Sequence, residues 1–343
     1  NRGQPMDFDV WAQMGNRGWG YANVLPYFRR CERRIGDGDD TYRGRDGEFA
    51  VTDIDWQHPL SEAFIEGAVS AGIPRNADYN GARQDGVGYF QRSIYKRRRM
   101  SAARAFLHPA RKRRNVEVRT HAHATSIVLE GARATGVRYR QGGTDKEVCA
   151  AREVLLCGGA INSPQLLQLS GIGPSPLLGA HGIAVKHHLA GVGENLRDHY
   201  AVRCVARIKN SDSINERARG LRLAGEIAKY VVGAESILTL QPSLVHCFWR
   251  SDPVIEQSDL QVTFTPASYK EGVQSALDDF PGATIAPWQQ RPESRGHVQI
   301  RSTDPFAPPE IQPNYLSDAT DRRVLLGGIR LARALMRTKP FAP

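Results

Sequence analysis

The residues best placed to meet a cofactor lie between Arg152 and Gly173. Val154-Leu155-Leu156-Cys157 is an unbroken apolar run, suited to a strand buried on both faces. Gly158-Gly159-Ala160 follows at once, and paired glycines let a chain turn tightly and another group approach its backbone. Asn162 or Ser163 then caps a helix, with Pro164 at its first position. Ser170-Gly171 closes it, the glycine in the left-handed stop conformation. A strand, a turn and a helix start together present free amides at a positive dipole end, where a phosphate or other polar group is stabilised. Many α/β folds use such a unit only for packing, so the residues alone leave both roles open.

Other candidates for chemistry are weaker. Gly171-Ile172-Gly173 and Gly191-Val192-Gly193 begin like a dinucleotide fingerprint but lack its third glycine, and neither opens a βαβ unit. Both are expected to be turns. Five cysteines at scattered spacings, with no C-x-x-C, point to reduced thiols and a cytoplasmic setting. His121-x-His123 and His187-His188 lack further ligands at suitable spacing, so no metal site is expected. The net charge is +10, much of it in Lys96-Arg97-Arg98-Arg99 and Arg111-Lys112-Arg113-Arg114. These runs could serve a nucleic-acid or acidic surface, but no aromatics interleave them for base stacking. A solvated basic face, serving an anionic cofactor, is the better reading.

The elements that must position these residues follow from periodicity. The 343 residues suit one large domain or two ordinary ones, and a hydrophobic fraction of 41% allows a sizeable core. No apolar run approaches the length that crosses a bilayer. The chain opens on Asn1 rather than Met, and both ends read as cuts through a longer polypeptide. Asp7 is a candidate cap for a short helix, and Pro26 a candidate opener of a helix over Tyr27–Arg34. Pro59 to Ala71 reads as a helix with Leu60, Phe64, Ile65, Ala68 and Val69 on one face. Alternation over 116–120, 125–129 and 136–140 predicts a three-stranded meander. Further strands are expected at 88–95, 200–208, 244–249, 260–264 and 296–301, with helices over 221–232 and 321–336.

The string from Gly159 to Gly173 resembles the second signature of the glucose–methanol–choline (GMC) oxidoreductases, with Gly159, Ala160, Ser163, Pro164, Ser170, Gly171 and Gly173 on defining positions. Gly191 to His199 is similar to the loop that follows it in the family. Arg2-Gly3, Asp7-Phe8-Asp9, Gly18-Trp19 and Leu25 to Phe28 resemble its flavin-covering lid. Ser294-Arg295-Gly296 and Pro313 to Leu316 resemble the start of its C-terminal half.

The resemblance implies an α/β plus α+β fold: a Rossmann-like FAD-binding domain, incomplete here, interwoven with an antiparallel-sheet substrate domain. Residues 1–44 would form the lid region, 45–92 and 200–343 the substrate side, and 93–199 the FAD side. It implies FAD-dependent oxidation of an alcohol CH–OH group, hydride passing to the flavin while a histidine takes the proton. It assigns no catalytic residue here, because none of the ten histidines sits in the family's catalytic motif. It also places the pyrophosphate loop and that histidine outside the chain, so the isolated chain would be inactive and bind FAD weakly. Ala124 falls where the family's strand holds the adenine through backbone atoms. Leu244 falls where choline-oxidising members carry a carboxylate against the trimethylammonium group, which favours a neutral alcohol. A choline-specific dehydrogenase and a cofactor-free basic binding module are the alternatives. The electron acceptor is left open.

Overall fold

In the computed structural model, which describes residues 1–272 and 276–341, the chain forms two units. The first comprises Asn1–Val116, Ala201–Gln290 and Arg323–Pro343. The second comprises Glu117–Tyr200 and Arg291–Arg322.

The first unit is built on a five-stranded antiparallel sheet ordered Cys204–Arg207, Gly282–Gln289, Leu260–Thr265, Val245–Trp249 and Gly86–Tyr89. All six residues of Leu260–Thr265 are buried. The helix Pro59–Ser70 buries Leu60, Phe64, Ile65 and Ala68 as its spacing predicted, while Val69 remains 37% exposed. Phe64 stacks on Phe264 with ring centroids 4.9 Å apart. Ala332 and Leu335, on the helix Ala319–Leu335, complete this core. Burying a phenylalanine of this kind contributes about 1.5–3 kcal/mol. The strand Gly282–Gln289 was not foreseen, because Pro281 and Pro287 read as breakers. It is nonetheless paired on both sides.

The second unit holds a meander of Ala122–Glu130, Arg133–Gln141 and Thr144–Cys149. The expected strand over 116–120 is irregular. Its place is taken by Thr144–Cys149, whose residues are all exposed and so carry no apolar alternation to read. A second small sheet pairs Glu194–Leu196, Gly296–Gln299 and Glu310–Gln312.

Several local expectations are corrected. Val154 to Cys157 is neither a strand nor buried, and Leu155 is 76% exposed. A strand needs neighbours to take its backbone hydrogen bonds, and no described segment pairs with this one. The helix starts at Gly159, ahead of Asn162 and Ser163, so Pro164 lies inside it. Pro26 likewise lies inside a helix, Tyr21–Cys31. Gln4 caps the helix Pro5–Gln13, and Asp7 closes the capping box three residues on, its carboxylate accepting from Gln4 N–H at 2.7 Å.

Candidate functional site

The C-terminal half of the signature helix is an anchoring device. Gln168 is completely buried. Its Nε2 donates to Val298 O at 3.0 Å and Val192 O at 3.2 Å, and its Oε1 accepts from Ile300 N–H at 2.9 Å. Ser170 Oγ donates to Leu166 O at 2.6 Å and accepts from Ile127 N–H at 2.8 Å, pinning the helix end to the first meander strand. Gly171 has φ +83°, and a Cβ there would lie 2.6 Å from Ala184 O. Gly193, at φ +86°, leaves room for Val298 O and Gln168 Nε2, which would lie 2.2 and 2.5 Å from a Cβ. Gly173 pairs with His188 in a short parallel bridge and faces Gln168. The expected turn at 191–193 is present. Gly171-Ile172-Gly173 instead runs into a two-residue strand.

The helix's N-terminal end differs. Gly159 (φ +78°) and Ala160 are exposed, Ser163 and Pro164 half-buried, and no side chain caps the first turn. The amides of that turn are therefore open to a polar group. Ala124 lies on the strand packed beside this helix, exposed, at a register shift between Ala124 and Ser126. Such a bulge takes a residue out of regular pairing and redirects the backbone. Next to it, His123 stacks on Phe306 at 4.5 Å, and Arg140 lies 5.2 Å from the same ring.

Three of the family-like segments meet in this unit. Asn195 Oδ1 accepts from Arg295 Nη1 at 3.0 Å, and Asn314 Nδ2 donates to Arg295 O at 3.0 Å. Tyr315 donates its hydroxyl to Asp198. The loop 191–199 and the segments 294–296 and 313–316 thus form one hydrogen-bonded cluster.

In the first unit, Arg2 belongs to a buried ionic network that sequence reasoning missed. Arg43, 1% exposed, donates to Glu32 through Nε at 3.0 Å and Nη2 at 2.7 Å, to Gln91 Oε1 at 2.9 Å, and to Asp78. Arg2 Nη2 reaches Glu32 Oε2 at 2.7 Å. Burial alone would raise the Glu32 carboxyl, but Arg43, Arg2 and the Gly44 N–H outweigh it and hold it below its ordinary value. The only hint was a scatter of arginines and acids in a loop-like stretch, whose partners lie far apart in sequence. A recess of about 390 Å³ opens beside this network, lined by Tyr79, Asn80, Gln91, Ser93 and Gln241 among others.

Leu244 is fully buried, bonded through its backbone to Phe264 O and Phe90 N–H. Two residues along, His246 is enclosed by Tyr79, Phe90 and Phe248, with the Tyr79 ring 4.4 Å away. Burial drives its imidazole down to about 3, only partly offset by the backbone of Asn76 and Gly86. His58 caps the helix Pro59–Ser70 through Nδ1 and is pushed down to about 4, again by burial, against the pull of Asp212. Among the described residues no group of His, Cys, Asp and Glu is arranged to hold a metal.

Comparison with known proteins places this geometry. A family profile described as GMC oxidoreductase matches residues 1–201, and a second of the same description matches 292–342. The chain is 38% identical to an oxygen-dependent choline dehydrogenase of Staphylococcus xylosus, over 100% of this chain and 61% of that protein. It is 37% identical to an oxygen-dependent choline dehydrogenase of Staphylococcus aureus, over 100% of this chain and 60% of that one. It therefore spans about three-fifths of the length of these relatives. Among solved structures, pyridoxine 4-oxidase from Mesorbium loti superposes with a TM-score of 0.82 at 27% identity, over 99% of this chain and 63% of that one. An FAD-dependent oxidoreductase from Chaetomium thermophilum shares the fold, with a TM-score of 0.87 at 24% identity over 99% and 67% of the two chains.

Proposed function

The chain belongs to the GMC oxidoreductase family, and from that premise we propose that the protein carrying it oxidises the CH–OH group of an alcohol to a carbonyl, with FAD as cofactor. Bound flavin would supply the two-electron acceptor for the hydride. The backbone around Ala124, at the bulge, would hold the adenine end. The uncapped first turn of the Gly159–Leu169 helix would face a polar group of the same cofactor. The 117–200 and 291–322 unit is thus assigned to the cofactor and the other unit to the substrate. A histidine base belongs to this mechanism, and we assign that role to no residue of this chain. The reaction class rests on one observation: identity of 38% along the whole chain to a named choline dehydrogenase.

For the substrate, we favour a neutral alcohol over choline. Leu244 sits in the apolar core. Glu32, a carboxylate at the recess, is already held by Arg2 and Arg43. Neither offers a free negative charge to a quaternary ammonium group. The names of the relatives keep choline as the second reading.

The test is a comparison of kcat/KM for choline and for uncharged primary alcohols, using the purified full-length protein that carries this chain and following both oxygen uptake and dye reduction. A flavin spectrum with turnover of uncharged alcohols is expected. Preferred, saturable turnover of choline would overturn the substrate assignment. Loss of both flavin and alcohol turnover would overturn the reaction class.

A further inference from the structure

The recess of about 390 Å³ beside the Glu32 network is lined wholly by residues of the first unit, and none of its charged side chains is free. Arg2 pairs with Glu32 at 2.7 Å, Glu32 also pairs with Arg43, and Arg92 pairs with Asp55 at 2.6 Å. Most of the uncharged polar groups on its wall are engaged too. Tyr79 Oη accepts from Gln91 N–H at 3.0 Å, and Asn80 Oδ1 accepts from Arg2 N–H at 2.7 Å. The Gln91 side chain accepts from Arg43 at 2.9 Å and donates to Asp78 at 3.2 Å. Setting aside the Cys31 thiol, which bonds weakly, two side chains are left. Among the described residues neither Ser93 Oγ nor the Gln241 amide has a hydrogen-bond partner, and both residues are half-buried.

Their neighbours in the chain hold both in place. Arg92 N–H donates to Thr52 O at 2.8 Å and Thr52 N–H to Arg92 O at 2.9 Å, while Thr52 Oγ1 donates to Ile94 O at 2.9 Å. Ser93 is fixed between these bonds. Arg92 Nη1 reaches Thr239 O at 3.5 Å, and Phe90 N–H donates to Leu244 O at 2.9 Å. These draw the segment 239–244, and Gln241 with it, alongside Ser93. The remaining wall is apolar, formed by Phe28, Phe49, Val51 and Phe106. The Phe49 and Phe106 rings lie 6.4 Å apart and 15° from parallel. A recess of this volume and lining suits a ligand with a ring-sized apolar body.

We infer that Ser93 and Gln241 set the specificity of the alcohol reaction: the substrate is an uncharged alcohol on a ring-sized apolar body, and it bears a second uncharged polar group, an amide or a hydroxyl, that these two side chains hydrogen-bond. The inference rests on the assignment of this unit to the substrate. Hydroxyl and amide groups both donate and accept, so each matches the groups on the wall. An apolar group at the same place would bury both side chains without partners. A charged group would leave water for a recess whose charges are already spent.

The test compares two alcohols of matched shape on the full-length protein that carries this chain, para-carbamoylbenzyl alcohol and para-isopropylbenzyl alcohol. The carbamoyl compound should have the higher kcat/KM by about tenfold, the worth of one or two neutral hydrogen bonds. Gln241→Leu and Ser93→Ala should each cut that preference several-fold, through KM rather than kcat, because the contact is made equally in the bound substrate and the transition state. Ser93→Thr keeps the hydroxyl and should keep most of the preference. Equal kcat/KM for the two alcohols, or a preference that survives both substitutions, would overturn the inference and leave alcohol oxidation standing. Should the protein turn over neither alcohol, the reaction class falls and binding decides the inference by itself. In calorimetry para-toluamide should bind several-fold more weakly to each variant than to the unsubstituted protein, and no binding, or equal binding by all three, would overturn it.

Discussion

Gln168 and Ile300 are 132 residues apart in sequence, yet the Ile300 N–H donates to Gln168 Oε1 at 2.9 Å in a fully buried contact. The same amide donates to Val298 O and Val192 O, so one side chain joins the signature helix, the turn at Gly193 and the strand Gly296–Gln299. Replacing it with leucine leaves three buried backbone groups without a partner. Each costs about 1–3 kcal/mol, partly relieved by local shifts, so Gln168→Leu should lose about 2–4 kcal/mol in urea unfolding. A loss below about 0.5 kcal/mol, the range of neutral surface changes, would contradict this account.

Gly193 combines a left-handed φ of +86° with a Cβ position 2.2 Å from Val298 O. Gly193→Ala meets both obstacles, and strain of this kind costs about 1–3 kcal/mol before the clash is counted. Hydrogen exchange should show Val298 N–H, which donates to Gly193 O at 2.6 Å, losing protection first. Unchanged protection there would show that the turn tolerates a side chain.

Arg43 neutralises Glu32 and Asp78 inside the first unit. Truncating one partner of a buried pair typically costs about 3–5 kcal/mol, because the other charge is left uncompensated. Arg43→Met should lose stability in that range, and Arg43→Met with Glu32→Gln should recover part of it. Equal losses in the single and double variants, measured by chemical denaturation, would argue against charge compensation.

The depressed histidines set a window of acid sensitivity. Unfolded histidine takes up a proton below about 6.5, whereas folded His58 and His246 resist it down to about 4 and 3. Between those limits the unfolded state binds more protons, so stability is full above pH 6.5 and falls as pH drops. The slope approaches about 1.4 kcal/mol per pH unit for each histidine. Glu32, whose carboxyl is lowered, adds to the loss only below its ordinary value of 4.5. His246→Phe should flatten the slope of denaturation midpoints between pH 6 and 4.5, as about one fewer proton is taken up; an unaltered slope would show that His246 does not govern it.

The elements that were legible in sequence bury a local, periodic face. Pro59–Ser70, Gly220–Val232, Leu260–Thr265 and Ala319–Leu335 lie within two residues of where their patterns put them. The left-handed stop at Gly171 was equally readable, because it depends on one residue's backbone freedom. Thr144–Cys149 and Gly282–Gln289 escaped notice, one for lack of apolar alternation and the other because Pro287 lies within it and Pro281 just before it.

By itself, the sequence determined the family, through a signature of fifteen contiguous residues from Gly159 to Gly173, and most of the helices. Tertiary structure decided what those residues do. It made Ser170, Gly171 and Gly173 packing residues, left Gly159 and Ala160 open at an uncapped helix start, and left Val154 to Cys157 unpaired. It also assembled Arg2, Glu32, Arg43 and Asp78 into one network. The physical reason is that strand pairing and buried charge compensation are satisfied by groups far away along the chain, and local pattern carries no record of which distant group arrives.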